Sequence, residues 1–320
     1  MDHSPGYQAR SVAVLGAGAV GAYFGAMLAR SGVAVTLIGR QPHVEAMRRD
    51  GLAVVQGASQ WSVAVDASTE PAAAADADLL LVSVKSQDTD AAIAGIAPSL
   101  RRDARIVSLQ NGVDNAARIA AIVDQPTYAA VVYVGTEMAG PGRVRHTGRG
   151  DLVIGRPRRV PRRGDDAGDL AVIARTFEAA GVSCPVSASI DAALWIKLTL
   201  NCAFNAISAV SRARYAQMVA TPAIRMLMET LMREAVAVAA ADDVRLDGDA
   251  LVASAWTLAA AMPEQYSSTA QDIARGRSTE IDALNGFVAQ RGQALGVAAP
   301  ANQALHALVK LRESQLRAPG

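Results

Sequence analysis

Residues Ser11 to Arg40 read SVAVLGAGAVGAYFGAMLARSGVAVTLIGR, and the order of residue types within this stretch decides the fold. Ser11 to Leu15 is a short, β-branched apolar run of the kind that forms a buried strand. Gly16, Gly18 and Gly21 follow it at G-x-G-x-x-G spacing, with Gly25 one turn further on, and a helical stretch then runs to Arg30. A second apolar run, Val33 to Ile38, closes a strand, glycine turn, helix, strand pattern, which is a βαβ unit. Glycines at this spacing allow a tight turn, close approach of the backbone to a phosphate, and close packing of helix on strand. The helix start adds the amides of Ala19 and Val20 and a positive dipole end. Gly16, Gly18, Ala19, Val20 and Gly21 are therefore the expected pyrophosphate cradle of a dinucleotide site.

Arg10 followed by the uncharged run Val12 to Ala29 superficially resembles a secretory signal. The phased glycines and the strand pattern explain the run without a membrane, and no other stretch approaches a membrane span. The residue closing the second strand selects the nicotinamide cofactor, because an acid there holds a ribose 2′-hydroxyl whereas an arginine pairs with a 2′-phosphate. This chain has Gly39-Arg40 and no Asp or Glu until Glu45. Arg40 thus favours NADP over NAD; the competing reading is a surface arginine in a loop.

Outward from this unit the alternation continues: LAVV, WSVAVDAS, Leu79 to Val84, a helix over Thr89 to Leu100, Arg105 to Leu109, a helix near Asn115 to Val123, and YAAVVYVGTEMA. Near-continuous apolar strands alternating with helices predict a mostly parallel, doubly wound sheet. Gly140 to Gly155 reads as hairpin strands added at an edge. The basic run Arg156 to Arg163 meets Asp165 and Asp166 at once, which predicts a solvated loop and not a nucleic-acid patch. From Ser189 to Leu316 strand signals stop, and Ala-, Leu- and Met-rich segments follow, broken near Pro222, Pro263 and Pro300. The expected fold class is an α/β N-terminal Rossmann-type doubly wound sheet with an all-α C-terminal domain. Its domains are 1–186, with a flexible tail at 1–9, and 187–320; GVSCPVS, Gly181 to Ser187, serves as the linker.

With 320 residues, 51% of them hydrophobic and 19% charged, the chain can build two cores and is far from disordered composition. Its 31 basic and 30 acidic residues nearly cancel, which gives no global attraction to nucleic acid or to an anionic membrane and leaves a small molecule as the expected partner. Cys184 and Cys202 have no flanking His or Cys pairs, so neither a disulfide framework nor a zinc site is expected, and a reducing cytoplasm fits. The apolar second half can supply a homodimer interface or simply a helical core.

Ligands of open α/β sheets lie beyond the carboxyl ends of the strands. Lys85 follows one such end and Asn111-Gly112 another. Lys85 can reach cofactor phosphates or ribose, and Asn111 the nicotinamide end or a catalytic side chain; each could instead merely satisfy a turn. In ALWIKLTLNCAFNAISAV, Ala193 to Val210, the polar residues Lys197, Asn201 and Asn205 recur every fourth position. On a helix that spacing drifts by only about 40° per step, giving one polar stripe on a face otherwise fit for burial. A stripe facing a ligand cleft would be paired by substrate and cofactor. Hydride delivery to a ketone builds negative charge on oxygen, which a positioned ammonium stabilises and protonates. Lys197 suits that task, and the two amides suit a carboxylate or hydroxyl. The competing reading is a core helix whose lysine reaches solvent.

A second constellation, SSTAQDIARGRSTEID, crowds Ser267, Ser268, Gln271, Asp272, Glu280 and Asp282 into a short span. A carboxylate from it could orient Lys197 or bind a substrate hydroxyl, and a serine could hold a carboxylate. Spacing does not choose among them, and helix capping or simple surface placement would equally explain Ser268 and Glu280.

On GAGAVGAYFG, the GR closing the second strand, the VK at Val84-Lys85, the QNG at Gln110 to Gly112, LWIKLTLNCAFNAISA and SSTAQDIARGRSTEIDALNG, the chain resembles the ketopantoate reductases. These belong to the wider group of 6-phosphogluconate-dehydrogenase-like Rossmann enzymes. The resemblance spans nearly the whole chain and implies NADPH-dependent reduction of 2-dehydropantoate to pantoate, on the route to pantothenate and coenzyme A. It makes Lys197 the general acid and places Glu280 near the substrate hydroxyl or that lysine. Asn111, Asn201, Asn205 and Ser268 become substrate-site or orienting residues. Arg40 and Lys85 become contacts to the NADPH 2′-phosphate, and Asn111 and Glu280 also count toward the cofactor site. One departure stands out: Gln265 occupies the place, just before the paired serines, where the pantoate enzymes are expected to carry Asn. Reduction of another branched or aromatic 2-oxo acid is the first alternative, and a non-catalytic NADP-binding sensor is the rival from another class.

Overall fold

The structure, a computed structural model, describes residues 8–317. The chain divides into two compact units. The first runs through Gln110 and resumes over Asp114–Ile190; the second comprises Asn111–Val113 and the chain from Asp191 onward.

In the first unit the chain forms β1 (Ser11–Leu15), α1 (Ala19–Arg30), β2 (Ala34–Ile38), α2 (Gln41–Asp50), β3 (Leu52–Gln56), β4 (Ser59–Val63), β5 (Asp66–Ser68) and β6 (Leu79–Val82). It continues through α3 (Thr89–Ile96), β7 (Arg105–Ser108), α4 (Asn115–Ile122), β8 (Thr127–Gly140), β9 (Arg143–Gly155) and α5 (Asp166–Ala179). Among the described residues the strands form one sheet in the order β4-β3-β9-β8-β7-β6-β1-β2-β5. The pairs β1–β2, β1–β6, β2–β5, β6–β7, β7–β8 and β3–β9 are parallel, and β3–β4 and β8–β9 antiparallel.

The central strands are apolar throughout because both faces are covered. Along β1, Val12 and Val14 pack into a core shared with Phe24 of α1 and Phe177 of α5, while Ala13 and Leu15 join Ile93 of α3 and Ile119 of α4 on the other face. β6 repeats the alternation, with Leu79 and Leu81 on the first side and Leu80 and Val82 on the second. The chain moves from β1 to β2 on one side and later to β6 on the other, so the end of β1 is the point where the winding reverses and a ligand crevice opens.

Several expectations are corrected. Gly140 to Gly155 does not add strands at an edge: a single strand, β9, covers most of it and lies inside the sheet, because β3 pairs with Arg143–His146 from the far side. WSVAVDAS is not one strand; β4 and β5 split it and take opposite ends of the strand order. Only Ala64 and Val65 join them, a link that spans at most about 11 Å. The sheet therefore curls round, and α1 inside the curl touches β1, β2, β3, β4, β8 and β9. Two helices, α2 and α5, occupy stretches with no helix in the sequence reading. Of the tail expected over Met1 to Ala9, residues 1–7 lie outside the described residues, and Ala9 is no tail: it is buried and its N–H donates to Thr176 Oγ1 at 3.0 Å. In the basic loop, Arg156 and Arg162 both donate to Asp166 Oδ2, at 2.7 and 2.8 Å, so one carboxylate offsets two of the charges.

The second unit contains α6 (Ile190–Ser211), α7 (Tyr215–Ala220), α8 (Pro222–Ala241), α9 (Gly248–Ala261), α10 (Ser268–Ala274), α11 (Asn285–Leu295) and α12 (Pro300–Arg317), and no strand among the described residues. Pro222 and Pro300 open their helices, where a missing N–H costs nothing. Asp247 caps α9 by accepting from Ala250 N at 3.0 Å. By length and composition α6 could cross a membrane, but 67% of its apolar window is buried inside the protein. Phe204 and Ile207 feed one helical core, Trp195, Leu198 and Cys202 another. Both cysteines are free and buried, and burial pushes the Cys184 thiol up to about 12.

Candidate active site

The end of β1 is shaped by what cannot fit there. Gly16 has φ +110°, and a Cβ on it would stand 2.7 Å from the carbonyl carbon of Ser83. A Cβ on Gly21 would stand 2.2 Å from Gly16 O, so α1 can pack this closely on the turn only with glycine. Ser83 Oγ donates to Gly16 O at 2.7 Å and ties the turn to the end of β6. Gly18, by contrast, is exposed, caps α1 without a side chain, and has nothing within 4 Å of its would-be Cβ. The first turn of α1 carries no acidic residue, and Ala22 N makes the helix's first bond, to Gly18 O at 2.8 Å. The amides of Ala19, Val20 and Gly21 precede that bond, which leaves an open, electropositive cradle suited to an anionic group.

Arg40 directly follows Gly39, against which Ala17 packs: a Cβ on Gly39 would stand 2.6 Å from that of Ala17. Arg40 is exposed and occupies the N-cap of α2. Lys85 is half-buried at the start of a 3-10 turn, Ser86–Asp88, beyond β6. Beneath the ends of β6 and β7 lies a buried polar chain centred on Gln110, which the sequence by itself shows only as the first residue of QNG. Gln110 Nε2 donates to Val84 O at 2.9 Å and to Thr89 Oγ1 at 2.7 Å, and Gln110 Oε1 accepts from Ser108 Oγ at 3.0 Å. Thr89 Oγ1 donates to Asn115 Oδ1 at 3.1 Å, and Asn115 Nδ2 to Ser86 Oγ at 3.1 Å. All five residues are buried, so these bonds hold the loops after both strands in one arrangement. The available signal was a polar residue at the start of each following helix, Thr89 and Asn115.

In the second unit, α6 carries Lys197, Asn201 and Asn205 on one face. Lys197 and Asn201 are half-buried and Asn205 is 3% exposed. Asn205 Nδ2 lies 3.5 Å from Ser268 Oγ, to which it donates. Ser267, not Ser268, caps α10: its Oγ accepts from Ala270 N at 3.1 Å and donates to Asn205 O at 3.3 Å. Capping therefore does not account for Ser268, which is exposed and accepts from Asn205. Asn111 Nδ2 donates to Glu280 Oε2 at 3.0 Å, bringing together two expected site residues 169 positions apart. Gln265 spends its side-chain amide on Tyr266 O at 2.8 Å, and its own carbonyl accepts from Tyr215 N at 3.1 Å. Asp282 is turned to α12, where His306 and Lys310 bind it. Among the described residues no group of three or more His, Cys, Asp or Glu is placed to hold a metal ion.

Sequence profiles described as ketopantoate reductase PanE/ApbA and its C-terminal part match residues 12–159 and 189–313. A 2-dehydropantoate 2-reductase of Halobacterium salinarum is 36% identical, covering 94% of this chain and 98% of that protein. The chain belongs to the ketopantoate reductase family. It is accordingly an oxidoreductase acting on a CH–OH group. Among solved structures, a PanE/ApbA family ketopantoate reductase from Ralstonia eutropha is 46% identical with a TM-score of 0.89, covering 96% of this chain and all of that one. D-mandelate dehydrogenase, solved with NADH and anilino(oxo)acetate, is 25% identical with a TM-score of 0.89 over the same share of this chain and all of its own. The ketopantoate reductase profiles fall one on the sheet-bearing part and one on the helices.

Proposed function

We propose that this protein reduces 2-dehydropantoate to (R)-pantoate with NADPH, a step toward pantothenate and coenzyme A. The observation that carries the reading is the polar face of α6, Lys197, Asn201 and Asn205, in the same unit as Ser268 and the Asn111–Glu280 pair. The names of the relatives support the substrate.

The residues of the first unit fit a dinucleotide. Gly18 opens onto space that a side chain would begin to fill, and the amides of Ala19, Val20 and Gly21 suit a pyrophosphate. Arg40, exposed just beyond β2 and followed by no Asp or Glu before Glu45, suits the 2′-phosphate, with Lys85 as a second cation. Reduced nicotinamide, once bound, supplies the hydride. The Lys197 ammonium stabilises the negative charge developing on the substrate's C2 oxygen and donates the proton that makes it a hydroxyl; the resulting amine recovers its proton from water. Asn201, Asn205 and Ser268 offer hydrogen bonds to the carboxylate and hydroxyl. Glu280, held by Asn111, takes the substrate hydroxyl or the lysine as its partner. The same proposal includes a cytoplasmic setting and a homodimer.

One observation favours a second substrate class, a branched or aromatic 2-oxo acid: Gln265 stands where Asn is expected, and its amide is engaged with Tyr266 O. The likeness to a D-mandelate dehydrogenase solved with an aryl oxoacid ligand agrees with it. Steady-state NADPH oxidation with ketopantoate beside a panel of 2-oxo acids, with NADH as control, separates the readings. The proposal expects the highest kcat/KM for ketopantoate with NADPH. A higher value for an aryl or other branched 2-oxo acid overturns the substrate, and no turnover of any of them overturns the reaction.

A further inference from the structure

Glu280 lies in the irregular segment between α10 and α11, just before a 3-10 turn, Ile281–Ala283. A segment with so little regular hydrogen bonding needs outside anchors if it is to hold a carboxylate in one place. One helix, α12, supplies them on both sides. Immediately before Glu280, the N–H of Thr279 donates to Glu313 Oε1 at 2.6 Å, and both residues are buried, at 1% and 4% exposure. Two residues after it, Asp282 accepts from His306 Nε2 at 2.6 Å and from Lys310 Nζ at 2.8 Å. Lys310 also pairs with Glu313 Oε2 at 2.9 Å, which joins the two anchors.

The three α12 residues stand at i, i+4 and i+7, one face of the helix. Room for the imidazole is built in, since a Cβ on Gly286 would stand 2.8 Å from the His306 ring. Inside the segment, Ile281 N donates to Thr279 Oγ1 at 3.2 Å, and the Ile281 side chain is fully buried. The segment is thus tied to one helix on each side of Glu280, through the Thr279 backbone before it and the Asp282 side chain after it, while the Glu280 carboxylate itself is engaged by Asn111.

We propose that His306, Lys310 and Glu313 of α12 act as positioning residues that clamp the Thr279–Asp282 segment and thereby set the Glu280 carboxylate for the reaction. The inference rests on the reading of Glu280 as a working residue of the reductase site. A clamp that served stability alone would change melting temperature and leave turnover untouched.

The test is a set of double-mutant cycles on the full chain. Asp282→Ala and Lys310→Met remove solvent-reaching side chains and are expected to fold; Glu313→Gln keeps an acceptor for Thr279 N–H. Each is made in the native background and with Glu280→Gln, and kcat, KM for the 2-oxo acid, NADPH affinity and melting temperature are measured. The clamp predicts that Asp282→Ala and Lys310→Met lower kcat about tenfold while NADPH affinity stays within about twofold. It further predicts that Glu313→Gln retains most of the turnover, and that none of the three lowers kcat further once Glu280 is already Gln. Native kcat in folded Asp282→Ala and Lys310→Met, or equal losses in both backgrounds, would overturn it. Native turnover by Glu280→Gln alone would sink the reading of Glu280 itself, a result distinct from a large effect of that variant with none from the clamp.

Discussion

Asn111 Nδ2 donates to Glu280 Oε2 at 3.0 Å, joining the residue just beyond β7 to the segment ahead of α11. A hydrogen bond to an ionised carboxylate contributes more than a neutral one, and each partner fixes the other. Asn111→Ala and Glu280→Gln should each lower kcat/KM for the 2-oxo acid, and the double variant should lose less than the sum. A coupling energy of about 1.5 to 3 kcal/mol is expected from a thermodynamic cycle on turnover. Strict additivity would show that the pair does not work as a unit.

Arg40 is the expected reader of the cofactor's 2′-phosphate. Arg40→Ala should weaken NADPH binding by about ten- to a hundredfold, the scale of one charged hydrogen-bonding partner, with little change for NADH. Fluorescence titration with both cofactors checks this, and equal losses for the two would remove Arg40 from the role.

The glycine turn makes a contrast that composition alone would not suggest. Gly21→Ala forces a methyl to within 2.2 Å of Gly16 O and should destabilise the protein by about 1 to 3 kcal/mol. Gly18→Ala meets nothing within 4 Å, so it should leave the melting temperature near that of the native protein while weakening NADPH, because the methyl enters the space assigned to the pyrophosphate. Thermal denaturation read beside cofactor titration distinguishes the two variants.

The hydrogen bond from His306, followed by that from Lys310, pushes the Asp282 carboxyl down to about 2. A carboxylate whose folded pKa lies below its unfolded value of roughly 3.9 contributes stability that is complete above the unfolded pKa and is lost as pH falls toward the folded one. Urea midpoints should therefore drop between about pH 5 and pH 2, and Asp282→Asn should flatten part of that drop. The ion pair is half exposed, so its share is that of a surface pair, about 1 kcal/mol or less. An unchanged pH profile in the variant would contradict the assignment.

Local pattern reached some of these features and not others. The β1–α1–β2 unit was legible because strand period, glycine spacing and helix period agree over thirty consecutive residues. Lys197, Asn201 and Asn205 were legible because polar residues every fourth position stand out in an apolar helix. Helix α2 was missed because it is polar on most sides and carries Pro42 in its first turn, and α5 because it follows directly on a charged loop. The interior place of β9 depends on β3, some ninety residues earlier, which no local window can report. Gln110, Thr89 and Asn115 look like ordinary loop and helix-start residues until the fold buries them together. His306, Lys310 and Glu313 carry no local sequence signal that ties them to Glu280, and only the tertiary contacts show that they hold the segment around it.

The proposed role of Lys197 as the proton donor in reduction of a 2-oxo acid can be tested by the turnover of Lys197→Ala with ketopantoate and NADPH, measured beside NADPH affinity. For a lysine in that role, kcat should fall by about two or more orders of magnitude, the scale of one lost acid catalyst, while NADPH binds as before. A kcat within a few-fold of the native enzyme, at unchanged NADPH affinity, would contradict it.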